Sequence, residues 1–174
     1  MVQLNSEVEF NQNDILIIDQ VWLERMKENA LRNDSGKYRI CIHESEEENL
    51  HEMIIIHTSG AYVRPHKYKV NGESLQFIEG EGTTILFNEH GEIKEAFRVG
   101  DPSSRYPFFY HLKKNLFHML LIKSEYLVFK ETTRGPFIRN NLVLPDWAPD
   151  GKNIDEVTQY HDKIRKMLKE RGLR

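Results

Sequence analysis

Between residues 37 and 139 the chain is a succession of short runs of alternating apolar and polar residues, each closed by a turn. The runs fall at 38–43, 53–57, 62–68, 75–78, 83–88, 93–99, 108–112, 117–122 and 126–131. Alternation of this kind belongs to β-strands, whose successive side chains point to opposite faces. Asn88-Glu89-His90-Gly91 reads as a hairpin turn between two of them. About eight or nine short strands at this spacing predict a barrel or sandwich, and the double-sheet jelly roll fits best.

Helices are expected only at the two ends. Residues 1–13 are polar, with Asn5, Ser6, Asn11, Gln12 and Asn13, and read as an irregular arm or a short edge strand. Asp19 offers an N-cap for a helix to about residue 32, with Val21, Trp22, Met26, Ala30 and Leu31 as its apolar stripe. Asn33-Asp34-Ser35-Gly36 stops it. After a loop over 140–152, a second helix is expected over about 155–171. Ile154, Val157, His161, Ile164 and Leu168 share one of its faces, which either packs on the barrel or makes a homodimer contact. The 174 residues suit one domain: arm and helix (1–36), β-barrel (37–139), loop and C-terminal helix (140–174).

Charge and composition exclude several partners. A formal charge of -3 gives no basic face for nucleic acid. The longest apolar run near the start, Ile15-Leu16-Ile17-Ile18, is far short of a signal segment or a membrane span. Cys41 is the only cysteine, so no internal disulfide forms, and a reducing, cytoplasmic setting is expected.

The chemistry concentrates between Gly60 and Gly80. As a strand, residues 62–68 put Tyr62, Arg64, His66 and Tyr68 on one face. Asn71-Gly72 then turns the chain, and Glu73 faces back toward His66. His118, on a much later strand, can pass beside both in a closed barrel. Two imidazoles and a carboxylate converging there form a facial triad for one divalent metal ion, associated with Fe(II) and compatible with Zn, Mn, Ni or Co. Arg39, Cys41 and His43 share a face of another strand. The guanidiniums of Arg39 and Arg64 need an anionic partner, either internal (Glu131 or Glu73) or a bound substrate, because an unpaired buried charge is costly. Tyr62 belongs to the core or stacks on a sugar ring at the pocket mouth. His57 is read as a core or rim histidine, and Cys41 has no activating base.

The spacing of Gly60, His66, Tyr68, Glu73 and Gly80 resembles the first cupin motif, G-x5-H-x-H-x4-E-x6-G, with Tyr68 in place of the second histidine. His118 fits the ligand position of the second motif, G-x5-P-x-G-x2-H-x3-N. There Asn115 stands for a glycine, Lys113 for the proline and Ile122 for the final asparagine. Asn tolerates the left-handed backbone that such a glycine serves. WbuC-type cupin-fold metalloproteins are similar in more places. These are Arg39, Cys41 and His43, then Tyr62-Val63-Arg64-Pro65-His66, Glu73-Ser74, Glu131-Thr132-Thr133-Arg134-Gly135-Pro136-Phe137 and Trp147-Ala148-Pro149. The resemblance covers roughly residues 15–150.

What the resemblance implies is a mostly β cupin jelly roll, with one metal held by His66, Glu73 and His118. Tyr68 either ligates it as a phenolate, hydrogen-bonds a metal-bound water or fills space. The expected ligand is an anionic, carbohydrate-derived small molecule bound by Arg39, Arg64, Tyr62 and Glu131. WbuC-type proteins are associated with O-antigen or capsule synthesis. That points to an isomerase or epimerase of a sugar or sugar-nucleotide-like substrate, with His43 or Tyr68 as proton shuttle. An Fe(II)-dependent dioxygenase-like enzyme and a non-catalytic ligand-binding cupin are the alternatives.

Overall fold

The computed structural model describes residues 1–113 and 115–172. Seven strands form one sheet in the order β1 (Val2–Asn5), β2 (Val8–Phe10), β3 (Lys37–Cys41), β4 (Leu50–Thr58), β11 (Tyr126–Arg134), β6 (Glu73–Glu79), β9 (Phe109–Leu112). The facing sheet has the order β10 (Phe117–Ile122), β7 (Glu81–Phe87), β8 (Ile93–Gly100). A two-stranded piece, β5 (Lys67–Tyr68) with β12 (Leu142–Val143), joins β10 through the bridge between His66 and His118. Among the described residues only β2 and β3 pair in parallel. This is the expected mostly β jelly roll with a helix at each end.

The layers follow from which faces are apolar. Met53, Ile55, Leu75, Phe77 and Phe129 of the large sheet meet Val99, Leu120 and Ile122 of the small one in the central core. Strand β10 is buried along its whole length. Its other face, Phe117, Met119 and Leu121, lies under α2 (Ile154–Glu170) with Ile85 and Phe87. A strand covered on both sides reads as a continuous apolar run, and Phe-His-Met-Leu-Leu-Ile does so apart from the one histidine. From α2, Val157, His161, Ile164 and Leu168 are buried as expected, whereas Ile154 is 71% exposed. No helix among the described residues is long and apolar enough to cross a membrane.

Helix α1 (Gln20–Arg32) covers the outer face of β3 and β4. Asp19 caps it, its side chain accepting from the Trp22 backbone N–H at 3.0 Å. The buried face is rotated from the expected one. Met26, Lys27 and Ala30 are inside, while Val21 and Leu31 face solvent. Lys27 takes a place in the stripe because its long apolar stem packs inward while its ammonium reaches Glu79 at 2.7 Å and Glu24 at 2.9 Å.

One further expectation is corrected. Residues 62–65 are not strand; regular pairing begins only at β5. Pro65 supplies no backbone donor and restricts Arg64 before it, which interrupts a ladder there. Of the two readings of residues 1–13, the edge strand is the one found, with β1 and β2 at the sheet edge. The turn at Asn88 to Gly91 is present, closed by a Gly91 N–H to Asn88 carbonyl bond of 3.2 Å with Gly91 at φ 81°. A side chain at Gly91 would also collide with the Trp147 ring.

Candidate metal centre

His66 and His118 face each other across the bridge between β5 and β10. Each backbone N–H donates to the other's carbonyl, at 3.0 and 2.9 Å. This reciprocal pairing puts both side chains on one face, with ring centroids 4.4 Å apart. The turn that carries β10 into register passes through Asn115, at φ 67°, whose N–H donates to the Tyr68 carbonyl at 2.7 Å. Asn is one of the few side-chain-bearing residues that adopt this backbone readily, which accounts for its standing where the motif has glycine.

Glu73, the first residue of β6, enters from the opposite sheet. Its Oε1 lies 2.6 Å from His118 Nε2, and its Oε2 is buried without a partner. His66 Nδ1 donates to the Arg64 carbonyl and His118 Nδ1 to the Leu116 carbonyl, each at 2.9 Å. A carbonyl can only accept, so both neutral rings carry the proton on Nδ1 and present a bare Nε2. Bare Nε2 atoms beside a carboxylate repel unless a proton or a metal cation stands between them. The ligand atoms of His66, Glu73 and His118 lie within 4.8 Å of one another, a cluster that can hold a metal ion. Backbone carbonyls that orient ligating imidazoles in this way are the usual support of metal-binding histidines.

The two imidazoles differ in their electrostatics. Burial lowers the His66 imidazole to about 4, and neighbouring His118 adds to this, so the ring stays a neutral donor. At His118 burial opposes charge, but the Glu73 carboxylate outweighs it and holds the pKa above its ordinary value. Burial would raise Glu73, yet His118 keeps it below the usual carboxylate range. Proton sharing between the two is what the pair does when no metal separates them.

The triad lies in the wall of a cavity of about 240 Å³. Tyr68 lines it, its ring edge-on to His66 at 5.9 Å. Burial, then the charges of Glu131 and Glu73, raise the Tyr68 phenol above its ordinary value, so it faces the cavity as an O–H donor. Glu131 lines the cavity from β11. Its carboxyl is raised to about 8 by burial first and then by Glu73, against the opposing pull of Arg39. Arg39 lines the cavity too and is exposed, marking its mouth.

Three expected site residues do not line the cavity. The Arg64 guanidinium donates to the Pro145 carbonyl at 2.9 Å, and the Tyr62 hydroxyl to the Pro149 carbonyl at 3.0 Å. Both clamp the loop over 145–149, because without a strand at 62–65 the alternation that aimed them at His66 does not operate. His43 lies past the end of β3, its ring stacked on His51 at 4.1 Å and its Nδ1 beside the Glu52 backbone. In their place the cavity holds Lys37, His57 and Tyr110. Alternation could have found Lys37, two residues before Arg39, had the strand been started one residue earlier. His57 follows as its cross-strand partner. Its ring is lowered to about 3, chiefly by burial.

A family model described as a domain of unknown function (DUF6016) matches residues 18–99. A search of curated proteins finds no match. Among solved structures, protein SO0799 from Shewanella oneidensis is similar with a TM-score of 0.54 and 12% identity, covering 77% of this chain and 87% of that one. CapF, solved with the inhibitor 3-isopropenyl-tropolone, has a TM-score of 0.51 and 11% identity over 66% of this chain and 33% of its own. Oxalate decarboxylase OxdC of Bacillus subtilis has a TM-score of 0.48 and 19% identity over 62% of this chain; the match spans only 27% of that enzyme's length. Likeness at these identities concerns the fold, and the fold is a cupin-type jelly roll.

Proposed function

We propose that this chain is a cupin metalloprotein that binds one divalent ion through His66, Glu73 and His118 and acts on a small polar molecule in the adjoining cavity. The observation that carries the reading is the pair of Nδ1–H bonds to backbone carbonyls, which leaves two bare Nε2 atoms aimed at a buried carboxylate. The donor set of two nitrogens and one oxygen suits Fe, Zn, Mn, Ni or Co. When bound, such an ion supplies Lewis-acid polarisation of a substrate carbonyl or hydroxyl oxygen. Tyr68 is placed to donate or return a proton beside His66, and Glu131 offers a second proton-carrying group in the same cavity.

The volume limits the substrate. A cavity of about 240 Å³ holds several waters or a body of about monosaccharide size. Within the proposal, a sugar or sugar acid fits inside. An isomerase or epimerase reaction, a place in assembly of cell-surface polysaccharide and a cytoplasmic setting are the finer parts of the reading. The first two rest on the resemblance to WbuC-type proteins, the last on the lone Cys41.

Elemental analysis of the purified full chain tests the core of this. One divalent ion per chain, absent from His118→Ala, is the expected result. A chain that takes up none of Fe, Zn, Mn, Ni or Co on reconstitution would overturn it. A chain that binds metal and ligand but turns over no ligand in a sugar and sugar-acid panel is a binding cupin instead.

A further inference from the structure

The cavity wall on β3 holds charge that the triad does not use. Lys37 and Arg39 are alternate residues of that strand, so both side chains leave one face, with Cα atoms roughly 6–7 Å apart. Among the described residues neither makes an ion pair, and neither side chain makes a hydrogen bond. Lys37 is half-buried, and burial lowers its ammonium pKa in spite of the nearby Glu7 carboxylate. His57, opposite Lys37 across the β3–β4 ladder, has a buried Nδ1 with no partner.

An internal balance of charge does not account for this wall. The cavity's carboxylates are Glu7, Glu73 and Glu131. With all three ionised, two side-chain cations and a divalent ion still leave positive charge in excess. A low-dielectric cavity with excess positive charge selects an anion to fill it. An ammonium and a guanidinium two residues apart on one strand present donors to the same cavity, and the guanidinium adds a planar fork suited to oxygen anions.

We propose that Lys37 and Arg39 form an anchor for the anionic oxygens, carboxylate or phosphate, of the substrate. The substrate is then a small molecule with its charged group on β3 and its remaining polar part toward His66, Glu73 and His118. This deepens the proposed function and rests on it, because the excess of positive charge counts the divalent ion, whereas the two donors themselves belong to β3.

Calorimetric titration of the full chain, both zinc-loaded and metal-free, with malonate, glucuronate, glucose 6-phosphate and uncharged glucose is the test. At least one anion should bind tenfold or more tightly than glucose, and the arms separate carboxylate from phosphate. Lys37→Met and Arg39→Met should each weaken that anion tenfold or more, in both metal states, with metal content unchanged. Arg39→Lys keeps the charge and removes the fork, so it should weaken binding by a smaller factor. It is the variant to read if the methionine substitutions unfold the chain. Anions that bind no better than glucose, or equally well to the Lys37→Met, Arg39→Met pair, overturn the anchor. Failure of metal loading with anchor-dependent binding intact would instead overturn the triad reading alone.

Discussion

Glu73 Oε1 and His118 Nε2 meet at 2.6 Å, although the two residues come from strands of opposite sheets. The contact joins the two sheets through a carboxylate and an imidazole at the wall of the inner cavity. His66 has the same backbone support as His118, so both imidazoles are oriented by main-chain carbonyls, while the Glu73 carboxylate is held by His118 itself. A site organised in this way needs little rearrangement to accept an ion, and the consequences can be measured.

The ligand set comes first. His66→Ala, Glu73→Ala and His118→Ala should each reduce bound metal to a small fraction of the wild-type content, because three protein donors leave none to spare. Full metal in any two of these variants, read by elemental analysis, would sink the triad.

Tyr68 is expected to be dispensable for metal retention. Its raised phenol pKa favours a neutral O–H in the cavity, so Tyr68→Phe should keep most of the metal and Tyr68→His should keep it or bind it more tightly. Complete metal loss in Tyr68→Phe would make the phenol an obligatory ligand.

Arg64 and Arg39 should separate cleanly. Arg64→Met leaves the Pro145 carbonyl without its donor and is expected to cost about 1–3 kcal/mol of stability in denaturant unfolding. It should leave metal content and anion affinity unchanged, since Arg64 does not line the cavity. A loss of anion binding in Arg64→Met with stability intact would place that guanidinium at the substrate after all.

Glu131 gives a pH signature in the metal-free protein. Its folded pKa of about 8 lies above the ordinary 4.5, so between these values the folded chain holds a proton that the unfolded chain has released. The carboxyl therefore contributes fully below about pH 4.5, and that contribution is lost as pH rises toward 8. Glu131→Gln carries no titrating group, so its stability relative to wild type should increase across this window by up to about 1.4 kcal/mol per pH unit. A difference that stays flat from pH 5 to 8 in parallel urea titrations would show that Glu131 titrates normally.

Asn115 tests the link between backbone and site. Asn115→Gly should be neutral or mildly stabilising, whereas Asn115→Val should destabilise by about 1–3 kcal/mol, because a β-branched residue resists φ of 67°. If His118 depends on that turn for its position, metal affinity should fall in the valine variant and not in the glycine one.

Much of this was legible in the chain itself. Period-two alternation is local, so β4, β6, β7, β8, β10 and β11 could be read directly, as could the Asp19 cap and the α2 stripe. The spacing of His66, Tyr68 and Glu73 is local too, because one strand, one turn and the next strand bring those residues together. What sequence could not decide was which side chains share a wall when the wall is made by elements far apart in the chain. Alternation assigned Tyr62 and Arg64 to the His66 face only on the premise of a strand, and Pro65 with the loop at 145–149 removed that premise. His43 was assigned by the same rule beyond the point where β3 ends. Lys37, His57 and Tyr110 enter the cavity through ladder register and sheet closure, which are set by pairing across dozens of residues and by the packing of one sheet on the other. Ligand identity is a short-range pattern of residue types. The charge that surrounds the ligands is a property of the closed barrel.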